Sequence, residues 1–111
     1  MIHTIINARD ASVSINSEGF DMDGQRAGRN MSFSVASTSF NAADATVKLQ
    51  HSNTNVSADF QDVTDGSITI ATGTALQNLT PITNLGMRFY RIVYTKVSNT
   101  AGTITVILNI Q

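Results

Sequence analysis

RFYRIVYTKVSNTAGTITVILNIQ, residues 88–111, decides the fold. Apolar and polar side chains alternate along both halves. Tyr90, Ile92 and Tyr94 share one side of the first half. In the second half Ile104, Val106, Leu108 and Ile110 share one side. A period of two marks extended chain, because successive side chains of a strand point to opposite faces. The residues between, 98–102, are turn formers. The stretch therefore predicts two β-strands, 88–97 and 103–110, joined by a polar turn.

The same period recurs toward the start. Met31-Ser32-Phe33-Ser34-Val35 puts apolar residues on one face and hydroxyls on the other. Residues 45–52 place Val47 and Leu49 opposite Lys48 and Gln50. Further short strands are read at 2–8, 11–15, 58–63 and 67–71. Gly, Asn and Asp fill the gaps, including Asp65-Gly66 and Thr72-Gly73. The single proline, Pro81, falls between strands. No 3.6-residue period appears, and a helix at 41–45 or 75–79 would run a turn or two at most. The reading is all-β: one antiparallel β-sandwich domain over 1–111, jelly-roll-like, with about eight short strands. An immunoglobulin-like strand order fits the same spacing.

Composition narrows the function classes. Hydrophobic residues make up 41% of the 111 residues, and charged residues 14%, against ~25% in ordinary soluble domains. Ser, Thr and Asn fill the polar positions, giving a surface with little charge repulsion. A net charge of -1 lacks the basic footprint of a nucleic-acid binder. There is no cysteine, so disulfides, thiolate catalysis and Cys-ligated zinc are excluded. The start, MIHTIINARD, lacks the basic and apolar regions of a secretory signal, and no apolar run approaches ~18 residues. We expect no cleaved leader, membrane partner, nucleic-acid partner or small-molecule substrate.

Each candidate for chemistry has a simpler reading. Asp21-Met22-Asp23-Gly24 has the look of a calcium loop, yet the later oxygen ligands of that motif are missing. A polar turn accounts for it. Asp59, Asp62 and Asp65 recur every three residues, but on a strand running into a turn they diverge rather than face each other across a cleft. His3 and His51 are the only histidines. Ser52 follows His51 directly, which puts the two on opposite strand faces, and no G-x-S-x-G elbow is present. No catalytic, cofactor or metal residue is assigned.

Contact surfaces are easier to nominate. Phe89, Arg91 and Val93 lie on the strand face opposite Tyr90, Ile92 and Tyr94, so both faces carry apolar residues. Ile5 beside Ile6, and Ile107 between Val106 and Leu108, repeat this two-sided pattern. Either a neighbouring subunit covers the second face, or register and twist change at the strand ends. Arg26 and Arg29 lie in the long irregular stretch 17–30, SEGFDMDGQRAGRN, and could dock to an acidic partner. Ile5, Arg26, Arg29, Phe89, Arg91, Val93 and Ile107 are the interface candidates.

Residues 45–63, ATVKLQHSNTNVSADFQDV, and 88–110 together carry a family resemblance. The pattern is V-x-L-Q-x-S, a polar turn, D-F-x-D-V, then Y-R-I-V-Y-T with a closing hairpin partner. It resembles the small jelly-roll capsid decoration, or cement, proteins of tailed bacteriophages. More loosely, it is similar to discoidin-like carbohydrate-binding modules. The match covers the C-terminal two-thirds and leaves the N-terminal third, with the 17–30 loop, unmatched. The resemblance implies a non-enzymatic virion protein, assembled in the host cytoplasm. It would be a homotrimer on the outer capsid surface at threefold positions, clamping major capsid protein subunits against DNA pressure. Many copies would act together through avidity. The alternative is a glycan- or receptor-binding module of a phage appendage. Against that stand the absence of Trp and the placement of both tyrosines on one strand face.

Overall fold

In a computed structural model of the chain, residues 2–22 and 29–110 are described, with Arg29 and Asn84 as backbone only. Ten strands carry the fold: β1 Ile2–Asp10, β2 Ile15–Asn16, β3 Phe20–Asp21, β4 Arg29–Phe40, β5 Thr46–Ser52, β6 Gln61–Thr69, β7 Gly73–Asn78, β8 Ile82–Leu85, β9 Phe89–Thr95 and β10 Thr103–Ile110. They form two five-stranded antiparallel sheets. Sheet A runs β1-β10-β4-β7, with β8 also on β4. Sheet B runs β2-β9-β5-β6, with β3 also on β9. Because β2 and β3 both pair β9, and β7 and β8 both pair β4, each sheet has four lanes. Numbered along the chain, the eight lanes run 1-8-3-6 and 2-7-4-5. That interleaving is a jelly roll of two Greek keys, which settles the strand order that spacing alone leaves open.

The core lies between the sheets and follows the alternation. Ile104, Val106 and Leu108 are fully buried from sheet A, and Val47, Leu49, Ile92 and Tyr94 from sheet B. Tyr94 meets Phe40 edge-on across the core, with centroids 6.1 Å apart. Asn99 is a polar exception with no exposed surface. Its Oδ1 accepts from Asn41 N–H (2.9 Å), and its Nδ2 donates to Ala11 O and Ala101 O.

Three expectations need correction. Residues 75–78 belong to β7, and 41–45 contain no helix; a 3-10 turn at Ser57–Asp59 is the one helical piece assigned among the described residues. Phe60 therefore precedes its strand rather than centring it. Asp65-Gly66 does not separate two strands: β6 runs through it. Val63, Thr64, Asp65 and Gly66 stand opposite Leu49 alone, since Lys48 pairs with Ser67 and Gln50 with Asp62. This is a bulge, in which extra residues loop out while pairing resumes beyond. Among the described residues the three non-glycine positions with positive φ all sit at such irregularities: Ala8 in β1, Ser39 in β4 and Asp65 in β6.

Candidate docking surfaces

The outer face of sheet A is built from the second residue of each alternating pair. Thr4, Ile107, Ser34 and Asn78 form one row across β1, β10, β4 and β7. Thr105, Ala36 and Leu76 form the next, and Ile2, Asn109 and Ser32 another. No side chain in these three rows is charged. Leu76 is 68% exposed, Ile2 71% and Ile107 37%, so large apolar groups stand in a field of hydroxyls and amides.

The outer face of sheet B has the opposite character. Lys48 Nζ lies 3.2 Å from Asp62 Oδ2, and Gln50 Nε2 donates to Asp62 Oδ1 at 2.8 Å. Hydrogen bonds first from Gln50 and then from Lys48 hold the Asp62 carboxyl below its ordinary range. Arg91 Nε donates to Gln50 Oε1 (2.7 Å), its Nη1 to Ser57 Oγ (2.9 Å), and its guanidinium lies 4.4 Å from the Phe60 ring centroid. One network thus ties β5, β6, β9 and the 3-10 turn together. At its other end Arg88 grips Asp21 through two bonds of 2.9 and 2.8 Å, and stacks over Phe89 at 5.0 Å. Asp21 is thereby engaged by a cation. The rest of the calcium-like turn, Asp23-Gly24, lies outside the described residues.

The interface candidates are thus divided between opposite faces. Phe89, Arg91 and Val93 are half-buried on sheet B, where Arg88 stacks over Phe89 and Arg91 over Phe60. Ile107 sits near the middle of the sheet A face. Ile5 falls at the β1 irregularity between Thr4 and Ile6 and packs against the core. Arg26 and the Arg29 side chain lie outside the described residues. The two strongest contributors to the sheet A patch, Leu76 and Ile2, were not singled out from sequence, because neither sits in an apolar–polar alternation.

The titratable candidates disperse. Asp59 accepts from Thr54 Oγ1 (2.6 Å), Asp62 joins the sheet B network, and Asp65 occupies the bulge. His51 faces Tyr90 across 6.0 Å, whereas Ser52 Oγ accepts from Thr54 N–H. His51 Nδ1 is buried without a hydrogen-bond partner, and burial pushes the imidazole pKa down. Among the described residues no group of three His, Cys, Asp or Glu is placed to hold a metal ion. A depression of about 360 Å³ opens beside the sheet B network, lined by Asn16, Glu18, Asn55, Ser57, Phe60 and Arg91 among others.

No protein-family model matches the chain, and no curated protein matches it. Solved structures do share its fold. The PBSX exported protein XepA superposes with a TM-score of 0.69 at 16% identity, over 99% of this chain and 36% of XepA. The chain thus spans little more than a third of that protein. The K1 cleaved adhesin domain of Lys-gingipain from Porphyromonas gingivalis W83 gives 0.59 at 13% identity, covering 99% of this chain and 72% of the domain. The carbohydrate-binding module CBM36, solved with calcium and xylotriose, gives 0.54 at 11% identity over 100% and 99%. At these identities the likeness is one of fold alone, a β-sandwich.

Proposed function

We propose that the chain is a non-enzymatic structural protein of a phage particle, a capsid cement protein that docks on the major capsid protein. The observation carrying this reading is the uncharged middle of the outer face of sheet A, three rows centred on Ile107. Desolvating hydroxyls, amides and isolated apolar groups costs far less than desolvating charges. A face of this chemistry suits moderate contacts repeated over a lattice. Support comes from the family resemblance of residues 45–63 and 88–110, and from the fold shared with an exported PBSX protein. Three copies around a threefold position is the grouping this reading expects on the head.

The test is to purify particles from the producing lysate, locate the chain by mass spectrometry and cryo-electron microscopy, and measure rebinding to stripped heads. The chain should lie on the outer head surface, and Ile107→Glu should bind at least about tenfold more weakly while staying folded. Absence of the chain from purified particles overturns the reading.

A glycan-binding module is the second reading, favoured by the amide- and carboxylate-lined depression at Asn16, Glu18 and Asn55. The one aromatic ring lining it, Phe60, is already stacked by Arg91, which leaves less of it for a sugar. Tyr90 and Tyr94 are buried and offer no ring to a sugar. Glycan-array binding lost in Glu18→Ala and Asn55→Ala would shift the assignment to this reading.

A further inference from the structure

Every open sheet edge can recruit another strand, and natural proteins guard such edges with bulges, charges, proline or brevity. The described edges differ in this respect. β1 carries two irregularities, a positive φ at Ala8, and the charged pair Arg9 and Asp10. β6 carries its bulge with Asp62 and Asp65. β2 and β3 are two residues each, and β8 is four residues placed after Pro81. β7 ends the sheet A path with one guard only, the β4 irregularity between Ser37 and Phe40 that lies opposite Thr74. Its six residues, GTALQN, include no charge and no proline, and its pairing with β4 is regular from Ala75 to Asn78.

The parity of β7 is fixed by its neighbour. Leu79 N–H donates to Phe33 O at 2.9 Å. Antiparallel pairs alternate between bonded and non-bonded, so Gln77 and Ala75 turn their backbone groups toward β4. Thr74, Leu76 and Asn78 turn theirs to the open edge.

We propose that β7 pairs antiparallel with β7 of a second copy of this chain, on a twofold axis at Leu76. The register follows from the sequence itself. With Leu76 opposite Leu76 of the second copy, Thr74 falls opposite its Asn78, and Asn78 opposite its Thr74. All three are bonded pairs of the correct parity. Two bonds per pair give six across the axis. On the outer face leucine meets leucine and hydroxyl meets amide, both favourable cross-strand combinations, and no like charges oppose each other. The result joins two A sheets into one continuous sheet. This contact rests on the fold alone, is separate from the threefold grouping proposed above, and stands or falls independently of the virion reading.

The test is sedimentation of the purified chain across a wide concentration range, with hydrogen exchange of the β7 amides. The dimer should be weak, because a short edge pairing lies at the low end of specific interfaces. Dimerisation should slow exchange at Leu76 and Asn78, while Ala75 and Gln77 are protected at every concentration. Leu76→Pro deletes an edge-facing donor where proline is tolerated, and Leu76→Lys sets like charges on the axis. Each should raise the dimer dissociation constant about tenfold or more. Leu76 is exposed, so Leu76→Lys keeps the fold even if the proline variant does not. A monomer at every concentration, or an oligomer whose mass neither variant changes, overturns the proposal.

Discussion

Tyr94 and Asn99 donate to the same acceptor. Tyr94 Oη lies 2.8 Å and Asn99 Nδ2 3.1 Å from the carbonyl oxygen of Ala11, which is itself fully buried. The strand β9 and the turn after it are thereby pinned to the corner that leaves β1. Tyr94→Phe should cost about 0.5–1.5 kcal/mol, since Asn99 still satisfies the carbonyl. Asn99→Ala also takes the partner from Asn41 N–H and Ala101 O; both lie near solvent, so each should cost less than the ~1–3 kcal/mol of a fully buried unpaired group. The double variant should be worse than additive, because only then is Ala11 O orphaned. Denaturant titration of the four proteins measures this directly. Simple additivity would mean that the two donors do not share their acceptor.

Two glycines offer a matched comparison. Gly102 (φ +88) and Gly73 (φ +87) both need the left-handed region. A Cβ at Gly102 would collide with the backbone carbonyl of Thr38, whereas at Gly73 it would meet nothing. Gly73→Ala should cost about 1–3 kcal/mol of backbone strain. Gly102→Ala should cost clearly more in the same melts, the difference reporting the β10–β4 approach.

Arg91 anchors the 3-10 turn to sheet B. Arg91→Ala removes its bonds to Gln50 and Ser57 and its stacking on Phe60. A loss of about 1–2 kcal/mol is expected for this partly exposed group, with faster amide exchange over 57–60. Arg91→Lys should recover little, because the planar fork is what reaches both partners.

Acid should weaken the fold in two stages. Desolvation lowers the His51 pKa below 6.5, so the unfolded chain takes the proton first. Its contribution is complete above pH 6.5 and is lost as pH falls through the folded value. Asp10, held down by Ser12, and Asp44, held down by Ser98, are lowered from 3.8. Their contributions are present above about pH 3.8 and vanish below it. Melting temperature against pH should show both declines, and His51→Gln should abolish the first. A first decline that persists in that variant would assign it to another group.

The strands whose side chains alternate cleanly were legible: β10, the Met31–Val35 part of β4, and β5. β7 was not. Ala75, Leu76 and Gln77 favour helix locally, and what makes them a strand is the paired row Ser34–Ser37 of β4, far away in sequence. Asp65-Gly66 carries the residues of a turn, and a bulge uses the same residues for the same conformational reason. The surfaces were legible only in part. Two-sided apolarity in β9 suggested a subunit contact; the contacts made on that face from within the chain, Arg88 over Phe89 and Phe60 under Arg91, come from residues the alternation does not connect. The three charge-free rows of sheet A depend on which strands lie side by side, and the alternation within one strand does not reveal its neighbours.

The position of β10 bears on how the protein is made. It lies between β1 and β4, yet among the described strands it comes last in order, and none of the others pairs with β1. On the ribosome the first strand must wait for the last. Sheet B can assemble once β9 emerges, while Phe33 and Val35 of β4 remain uncovered on one side until residues 103–110 exit. Closure then comes as one late step built from distant contacts, the slow kind in folding. A nascent chain stalled just before β10 should therefore recruit chaperones that the finished domain does not.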